Sequence, residues 1–127
     1  MAIKDILRTH GDDLNVDQLT AVIETAVDCA AHCEACADAC LEEGDPELTR
    51  CIRANLDCAD ICAATATVVG RAGRSGAPWV ELVRVCMEAC RNCAEECEKH
   101  DHEHCRVCAE ACRRCEEACR QLLDAVG

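Results

Sequence analysis

Large aromatic side chains are almost absent from this chain of 127 residues, which contains no tyrosine, no phenylalanine, one tryptophan and two prolines. Protein interiors pack as densely as organic crystals, and aromatic side chains normally supply much of the buried volume. A core built from this sequence must therefore be filled by something else. The scarcity of proline, with an apolar fraction of 50%, favours a helical domain.

Long apolar runs and an excess of positive charge are also missing. Residues 1–10 mix charged and isolated apolar side chains, unlike an export signal, and no segment has the uninterrupted apolar length that a bilayer requires. We therefore expect a soluble, cytoplasmic protein with reduced thiols and no membrane partner. The formal net charge of −12 argues against nucleic acid as a partner.

Cysteine, in contrast, is abundant and regularly spaced. The sixteen cysteines recur at steps of three and four residues in four stretches, with one seven-residue step. Residues at this spacing share one face of an α-helix, at the positions that normally carry leucine, isoleucine or valine in a bundle. The stretches are Cys29, Cys33, Cys36 and Cys40; Cys51, Cys58 and Cys62; Cys86, Cys90, Cys93 and Cys97; and Cys105, Cys108, Cys112, Cys115 and Cys119.

Helix start and stop signals surround each cysteine stretch. We predict an all-α fold, an antiparallel four-helix bundle with a cysteine-lined core at residues 15–127 and an N-terminal extension with a short helix at residues 1–14. The predicted long helices run from Asn15, capped with Gln18, to Glu43; from Asp45 to about Arg71; from Pro78 to the turn at 100–104; and from that turn to about Ala125.

Antiparallel order predicts two different ends for the bundle. One end carries Cys40, Cys51, Cys97 and Cys105 together with three histidines, and we interpret it as the mouth of a thiol-lined tube. At the opposite end the same inward-facing helix positions carry larger apolar side chains, which should fill the tube and stabilise it. These are Leu19, Val22, Val69, Trp79, Val83, Leu122 and Val126.

The cysteine pattern indicates a store for soft metal ions. Seven CxxxC pairs place two sulfurs one helical turn apart, where they can hold one ion. Thiolates select Cu(I), zinc or iron–sulfur clusters. A regular array suits Cu(I) better than closed four-ligand zinc sites or the loop motif of iron–sulfur proteins. Roughly one monovalent ion per thiolate would also keep the core near neutral. A disulfide framework fits poorly, because neighbours on one helical stripe have awkward geometry for it.

Four polar residues extend the candidate ligand set. Asn55 occupies the skipped cysteine position of the second stretch; it either fixes helix register, as buried asparagine does in coiled coils, or contacts an ion near Cys51. His100, His102 and His104 cluster at the predicted mouth, and we favour them as entry ligands, because neutral imidazole binds copper.

The chain resembles the bacterial copper storage proteins, a family of cysteine-lined four-helix bundles, over residues 17–125. The resemblance rests on the CxxxC pairs, the four stripes and the histidine-bearing turn before the last helix. It implies many bound Cu(I) ions and a homotetramer. The chain is similar to the cytosolic branch, in which an asparagine and histidines join the thiolates; Asn55, His102 and His104 match them.

We therefore expect a high-capacity Cu(I) store or buffer without enzymatic activity. Copper ions are the predicted partner, and a cytosolic copper chaperone is a candidate for delivering them. Two alternatives stay open, a zinc or heavy-metal thiolate buffer and a redox or metal-transfer enzyme. The second has little support, because the sequence shows no pairing of a nucleophile with a base and no cofactor fingerprint.

Overall fold

A computed structural model describes residues 3–10, 15–72 and 74–126 of the chain, and every regular element in these ranges is helical. A short helix, α1, spans Ile3–Leu7 and continues as a 3₁₀ turn at Arg8–His10. The four long helices are α2, Val16–Glu43; α3, Thr49–Val69; α4, Trp79–Cys97; and α5, Glu103–Val126. None of the described helices is long and apolar enough to cross a bilayer.

The helix boundaries follow local capping chemistry. The Asn15 side chain accepts a hydrogen bond from the backbone N–H of Gln18 at 3.4 Å, and α2 ends where Gly44 adopts a left-handed φ of 68°. Gln18 does not complete the capping box: its Oε1 atom is buried without a hydrogen-bond partner among the described residues. Asp45 caps a 3₁₀ turn at Pro46–Leu48 that precedes α3, so this α-helix begins later than predicted.

The long helices form an antiparallel bundle. Helix α2 packs against α3 and α5, and α4 packs against the same two helices, so each long helix has two principal neighbours. Tight turns join α2 to α3 and α4 to α5, whereas the longer glycine-containing connection joins α3 to α4 at the other end. The predicted four-helix architecture is confirmed. The assignment of residues 1–14 as an extension of a bundle at 15–127 stays a prediction.

The end of the bundle opposite the tight turns is filled by branched aliphatic side chains. Of the seven apolar residues predicted there, five are at most 1% exposed, and we call them the apolar end: Leu19, Val22, Val69, Val83 and Leu122. Trp79 packs against the buried core but is only partly buried, and Val126 is 41% exposed because α5 ends there. From α1, Leu7 joins the core while Ile6 is exposed.

Candidate metal centre

The sixteen cysteines line the bundle axis as buried free thiols. None has more than 2% of its surface exposed, and none is part of a disulfide. Their three- and four-residue spacing keeps each stripe on the inward face of its helix. Four stripes from four helices therefore meet along one axis, and we call this set of sulfurs the sulfur array.

In the middle of the sulfur array, single sulfurs touch thiols from several helices. The Sγ atom of Cys29 lies 3.8 Å from that of Cys33 on the same helix, 3.9 Å from Cys58 on α3 and 3.6 Å from Cys112 on α5. The Cys33 sulfur in turn lies 3.7 Å from that of Cys112. Contacts within a helix and between helices thus have similar lengths.

The same arrangement repeats toward the apolar end. The Cys62 sulfur lies 3.8 Å from that of Cys58 on α3, and 3.8 Å and 3.6 Å from those of Cys86 and Cys90 on α4. A sulfur in the middle of the array therefore belongs to more than one set of neighbours. Ions held by neighbouring sets would share sulfurs.

Several groups of four donor atoms lie within 4.8 Å of one another. At least four of these groups consist entirely of buried cysteines, and in another a histidine replaces one of them. Five of the groups are Cys29, Cys33, Cys58 and Cys112; Cys29, Cys58, Cys62 and Cys90; Cys33, Cys93, Cys108 and Cys112; Cys62, Cys86, Cys90 and Cys115; and Cys36, Cys40, His104 and Cys105.

The sulfur spacing suits metal coordination without movement of the backbone. At a metal–sulfur bond of about 2.3 Å, two sulfurs on a tetrahedral ion are about 3.8 Å apart, and on a trigonal ion about 4.0 Å. The short sulfur contacts described above lie between 3.6 Å and 3.9 Å. Soft ions with three or four thiolate ligands therefore fit the array, and shared sulfurs would join them into clusters.

Asn55 lies inside the array and is completely buried. Its Oδ1 atom accepts hydrogen bonds from the thiols of Cys93, Cys108 and Cys97, at 3.0, 3.3 and 3.6 Å. Its amide nitrogen donates to the sulfur of Cys51 at 3.8 Å. The amide thus contacts thiols of three helices, and its oxygen occupies the place of a ligand at the skipped cysteine position.

His104 lies at the mouth with one ring nitrogen toward the sulfurs. Its Nδ1 atom is 3.6 Å from the Cys36 and Cys105 sulfurs and 3.9 Å from that of Cys40. Its Nε2 atom lies 3.4 Å from Oε1 of Glu43, at the end of α2. Among the predicted histidines, His104 is therefore the one that the fold brings to the thiols.

The other two predicted histidines contact carboxylates. The Nε2 atom of His100 lies 2.9 Å from Oε2 of Glu96, which is only 8% exposed. The Nδ1 atom of His102 lies 3.5 Å from Oε1 of Glu43, and its ring stacks on that of His104 with centroids 5.1 Å apart. Sequence reasoning missed Glu96; its four-residue spacing from His100 was the available signal.

Burial opposes ionisation of the thiols near the mouth. Burial raises the pKa of Cys105 to about 12, and repulsion from the thiolates of Cys51 and Cys40 adds to the rise. Burial also raises the pKa of Cys40, with repulsion from Cys51 as the next cause. In the metal-free protein these thiols are thus protonated at neutral pH. A metal ion that binds them must displace protons.

Comparison with known proteins places the chain in a family. The model of the copper storage protein family matches residues 15–124, so the chain belongs to that family. This match covers α2, α3 and α4, nearly all of α5, and every residue of the sulfur array.

Solved structures of copper storage proteins are similar to this chain in both fold and sequence. The copper storage protein Ccsp from Streptomyces lividans, loaded with 10 copper equivalents, is 44% identical with a TM-score of 0.86, and the match covers 96% of this chain and 98% of that one. A cytosolic copper storage protein from Streptomyces lividans with five coppers is 46% identical, with a TM-score of 0.81 and coverage of 87% and 96%. The Cu(I)-bound copper storage protein BsCsp3 of Bacillus subtilis is 39% identical, with a TM-score of 0.75 and coverage of 84% and 98%.

Proposed function

We propose that this protein is a high-capacity store of Cu(I) that holds roughly one ion per cysteine inside the bundle. The observation that carries the proposal is the overlap of buried thiol groups: sixteen free cysteines line one axis, and several sets of four lie within 4.8 Å. A bundle built only for stability would place leucine at these positions, because leucine buries more apolar surface and carries no oxidisable sulfur.

Charge and softness favour Cu(I) as the stored ion. Thiolates prefer soft ions, and a monovalent ion can neutralise one thiolate without leaving excess charge in a low-dielectric core. The copper-loaded states of the Streptomyces lividans relative and the Cu(I)-bound state of BsCsp3 support this choice. Binding should release protons from thiols such as Cys40 and Cys105, because burial raises their pKa in the empty protein and the ligand is the thiolate.

The mouth is the proposed route of entry. The group of Cys36, Cys40, Cys105 and His104 combines three buried thiols with a partly exposed imidazole, so it offers a first site that solvent can reach. From there an ion would pass between adjacent sulfurs by ligand exchange. Asn55 Oδ1, which faces three thiols, is our candidate for a neutral ligand or orienting group in the next layer.

The cellular setting belongs to the same proposal. We place the protein in the cytoplasm, where thiols stay reduced, in line with the description of the Streptomyces lividans relative as cytosolic. A homotetramer would bury some of the large apolar side chains that are exposed on the long helices, among them Leu41, which is 62% exposed. A cytosolic chaperone is the proposed donor of Cu(I), and storage without catalysis is the proposed role. Light scattering on a sizing column measures the assembly directly.

Anaerobic titration tests the storage function. The reduced protein is titrated with Cu(I) in the presence of a chromophoric Cu(I) chelator, and bound metal is counted after gel filtration. We expect a number of retained coppers close to the thiol count, and loss of retention when all thiols are alkylated in the unfolded chain beforehand. Retention of only a few zinc ions, with copper lost to the chelator, would instead identify a zinc buffer.

A further inference from the structure

The two ring nitrogens of His104 face opposite chemical surroundings. Nδ1 points at three sulfurs, those of Cys36, Cys105 and Cys40, at 3.6 to 3.9 Å. Nε2 points away from the array and lies 3.4 Å from the Glu43 carboxylate. The position of the single imidazole proton therefore decides whether His104 offers the sulfur side a lone pair or an N–H group.

We propose that Glu43 is a positioning residue for copper entry: its carboxylate holds the proton of His104 on Nε2, so that the Nδ1 lone pair faces the three thiols. This inference rests on the proposed storage function, because it names the group that prepares the first ligand at the mouth. Glu43 itself does not touch the stored ion. It acts through His104.

The chemistry of the pair leaves one satisfactory arrangement. A neutral imidazole carries a proton on one nitrogen, whereas a carboxylate can only accept hydrogen bonds. With the proton on Nε2, His104 donates to Glu43 and keeps Nδ1 free. With the proton on Nδ1, two acceptors would face each other on the outer side, and an N–H group would occupy the position where a metal ion must approach.

The fold brings this carboxylate to the histidine at the point where two helices meet. Glu43 is the last residue of α2, and the left-handed Gly44 ends the helix there. His104 lies in the first turn of α5, which begins at Glu103. The His102 ring stacks on the His104 ring at an interplanar angle of 15°, and its Nδ1 lies 3.5 Å from the same Glu43 oxygen. The stacking restricts rotation of the His104 ring.

A matched control lies one residue away. Glu42 carries the same charge, is exposed, and occupies the same end of α2. Replacing Glu42 by alanine removes the same charge from the mouth as replacing Glu43. The pair Glu43→Ala and Glu42→Ala therefore separates a specific action on His104 from general attraction of cations by an acidic mouth.

Nuclear magnetic resonance on the metal-free protein tests the proton position without relying on copper. Two-bond proton–nitrogen correlation spectra of ¹⁵N-labelled histidine are recorded at a pH where the ring is neutral, with His104 assigned from the His104→Ala variant. We expect the Nε2–H form in the original protein and in Glu42→Ala, and a shift toward the Nδ1–H form in Glu43→Ala. A predominant Nδ1–H form in the original protein would overturn the proposal.

Anaerobic stopped-flow transfer of Cu(I) from a chelator tests the consequence for entry. We expect Glu43→Ala to weaken or slow binding of the first copper about tenfold to a hundredfold, as is typical when a group that orients a metal-binding histidine is removed. Glu42→Ala should change the binding of the first copper less than twofold, and final copper capacity should not change in either variant. In a His104→Ala background, removing Glu43 should have no further effect.

Failure of this inference is distinguishable from failure of the storage function. If the original protein retains many coppers but Glu43→Ala and Glu42→Ala bind the first copper equally well, the positioning role of Glu43 is wrong and the proposed storage function is unaffected. An additive loss in the double variant would also overturn it, because Glu43 would then act independently of His104. If the original protein retains few coppers, storage itself fails, and the proton position in the metal-free protein still tests the pairing.

Discussion

The apolar end and the sulfur array occupy successive stretches of the same helical seam, yet they are filled by different side chains. At the apolar end, Leu19, Val69 and Leu122 are at most 1% exposed and pack as in an ordinary bundle. In the array the equivalent positions carry cysteine, which is equally buried but smaller. The backbone geometry is shared, whereas the reason for burial differs between the two regions.

The contrast indicates how the chain separates folding from metal binding. Buried aliphatic side chains contribute about 1.5–3 kcal/mol each, and cysteine contributes less because it buries less apolar area. Thiols also keep their reactivity toward soft metals when they are inside the bundle. We infer that the apolar end stabilises the empty protein, and that the array gains most of its stability only when ions bind.

Copper loading should therefore produce the largest change in stability. Each site held at a free ligand concentration a hundredfold above its dissociation constant adds about 2.7 kcal/mol, so a few filled sites would raise the unfolding midpoint by tens of degrees. Anaerobic thermal unfolding followed by circular dichroism measures the difference between the empty and loaded protein. Equal midpoints would show that the array gains no stability from metal and would contradict the division of roles.

Shortening Leu122 should give the next largest effect. Leu122→Ala removes a completely buried side chain from the apolar end and should cost about 2–5 kcal/mol in the metal-free protein. It should leave copper capacity unchanged, because no ligand is lost. Chemical denaturation and copper titration of the same sample measure both quantities.

Cys119→Ala, one helical turn earlier on α5, is the matched variant in the sulfur array. This substitution should lower the stability of the metal-free protein by about 1 kcal/mol, as expected for the loss of one methyl-sized group, and should lower copper capacity by about one ion. The two variants thus reverse the order of effects on stability and capacity. Two results would contradict the proposed separation of folding from metal binding. One is a loss of copper capacity in Leu122→Ala although the variant is fully folded, and the other is a larger loss of stability in Cys119→Ala than in Leu122→Ala.

Asn55→Leu gives a smaller expected change and tests the open question about this residue. Replacing the amide by a side chain of similar volume removes weak hydrogen bonds with thiols and also removes a buried polar group, so stability of the metal-free protein should change by about 1 kcal/mol or less. Copper binding in the layer of Cys93, Cys97 and Cys108 should weaken. A loss of stability above about 3 kcal/mol would instead indicate that Asn55 fixes the register of the helices.

Much of the fold was predictable because its signals are local. Asn15 and Gly44 mark both ends of α2, and cysteine spacing alone indicated which helical faces point inward. The apolar end was predicted from continuation of the same period. The exposure of Val126 was not predicted, because the spacing of apolar residues does not show that α5 extends beyond the end of the core.

Side-chain pairing at the mouth could not be predicted in the same way. The sequence placed His100, His102 and His104 near one another, but spacing across a turn does not determine the direction of each ring. In the fold, His104 points to the thiols while His100 points to Glu96 and His102 to Glu43. The directions of His102 and His104 depend on contacts with Glu43 at the end of α2, which is distant in sequence.

Alkaline pH should affect the two regions differently and gives the subtlest test. Burial raises the pKa of Cys105 to about 12, from an ordinary value of 9.0. Between these values the Cys105 thiol binds fewer protons in the unfolded chain than in the folded one, so the stability that this group contributes should be fully present below pH 9 and be lost as pH rises toward 12. Anaerobic urea unfolding across this range measures the slope. The copper-loaded protein, whose thiolates have already lost their protons, should show a smaller slope, and an equal slope in both forms would place the titrating groups outside the array.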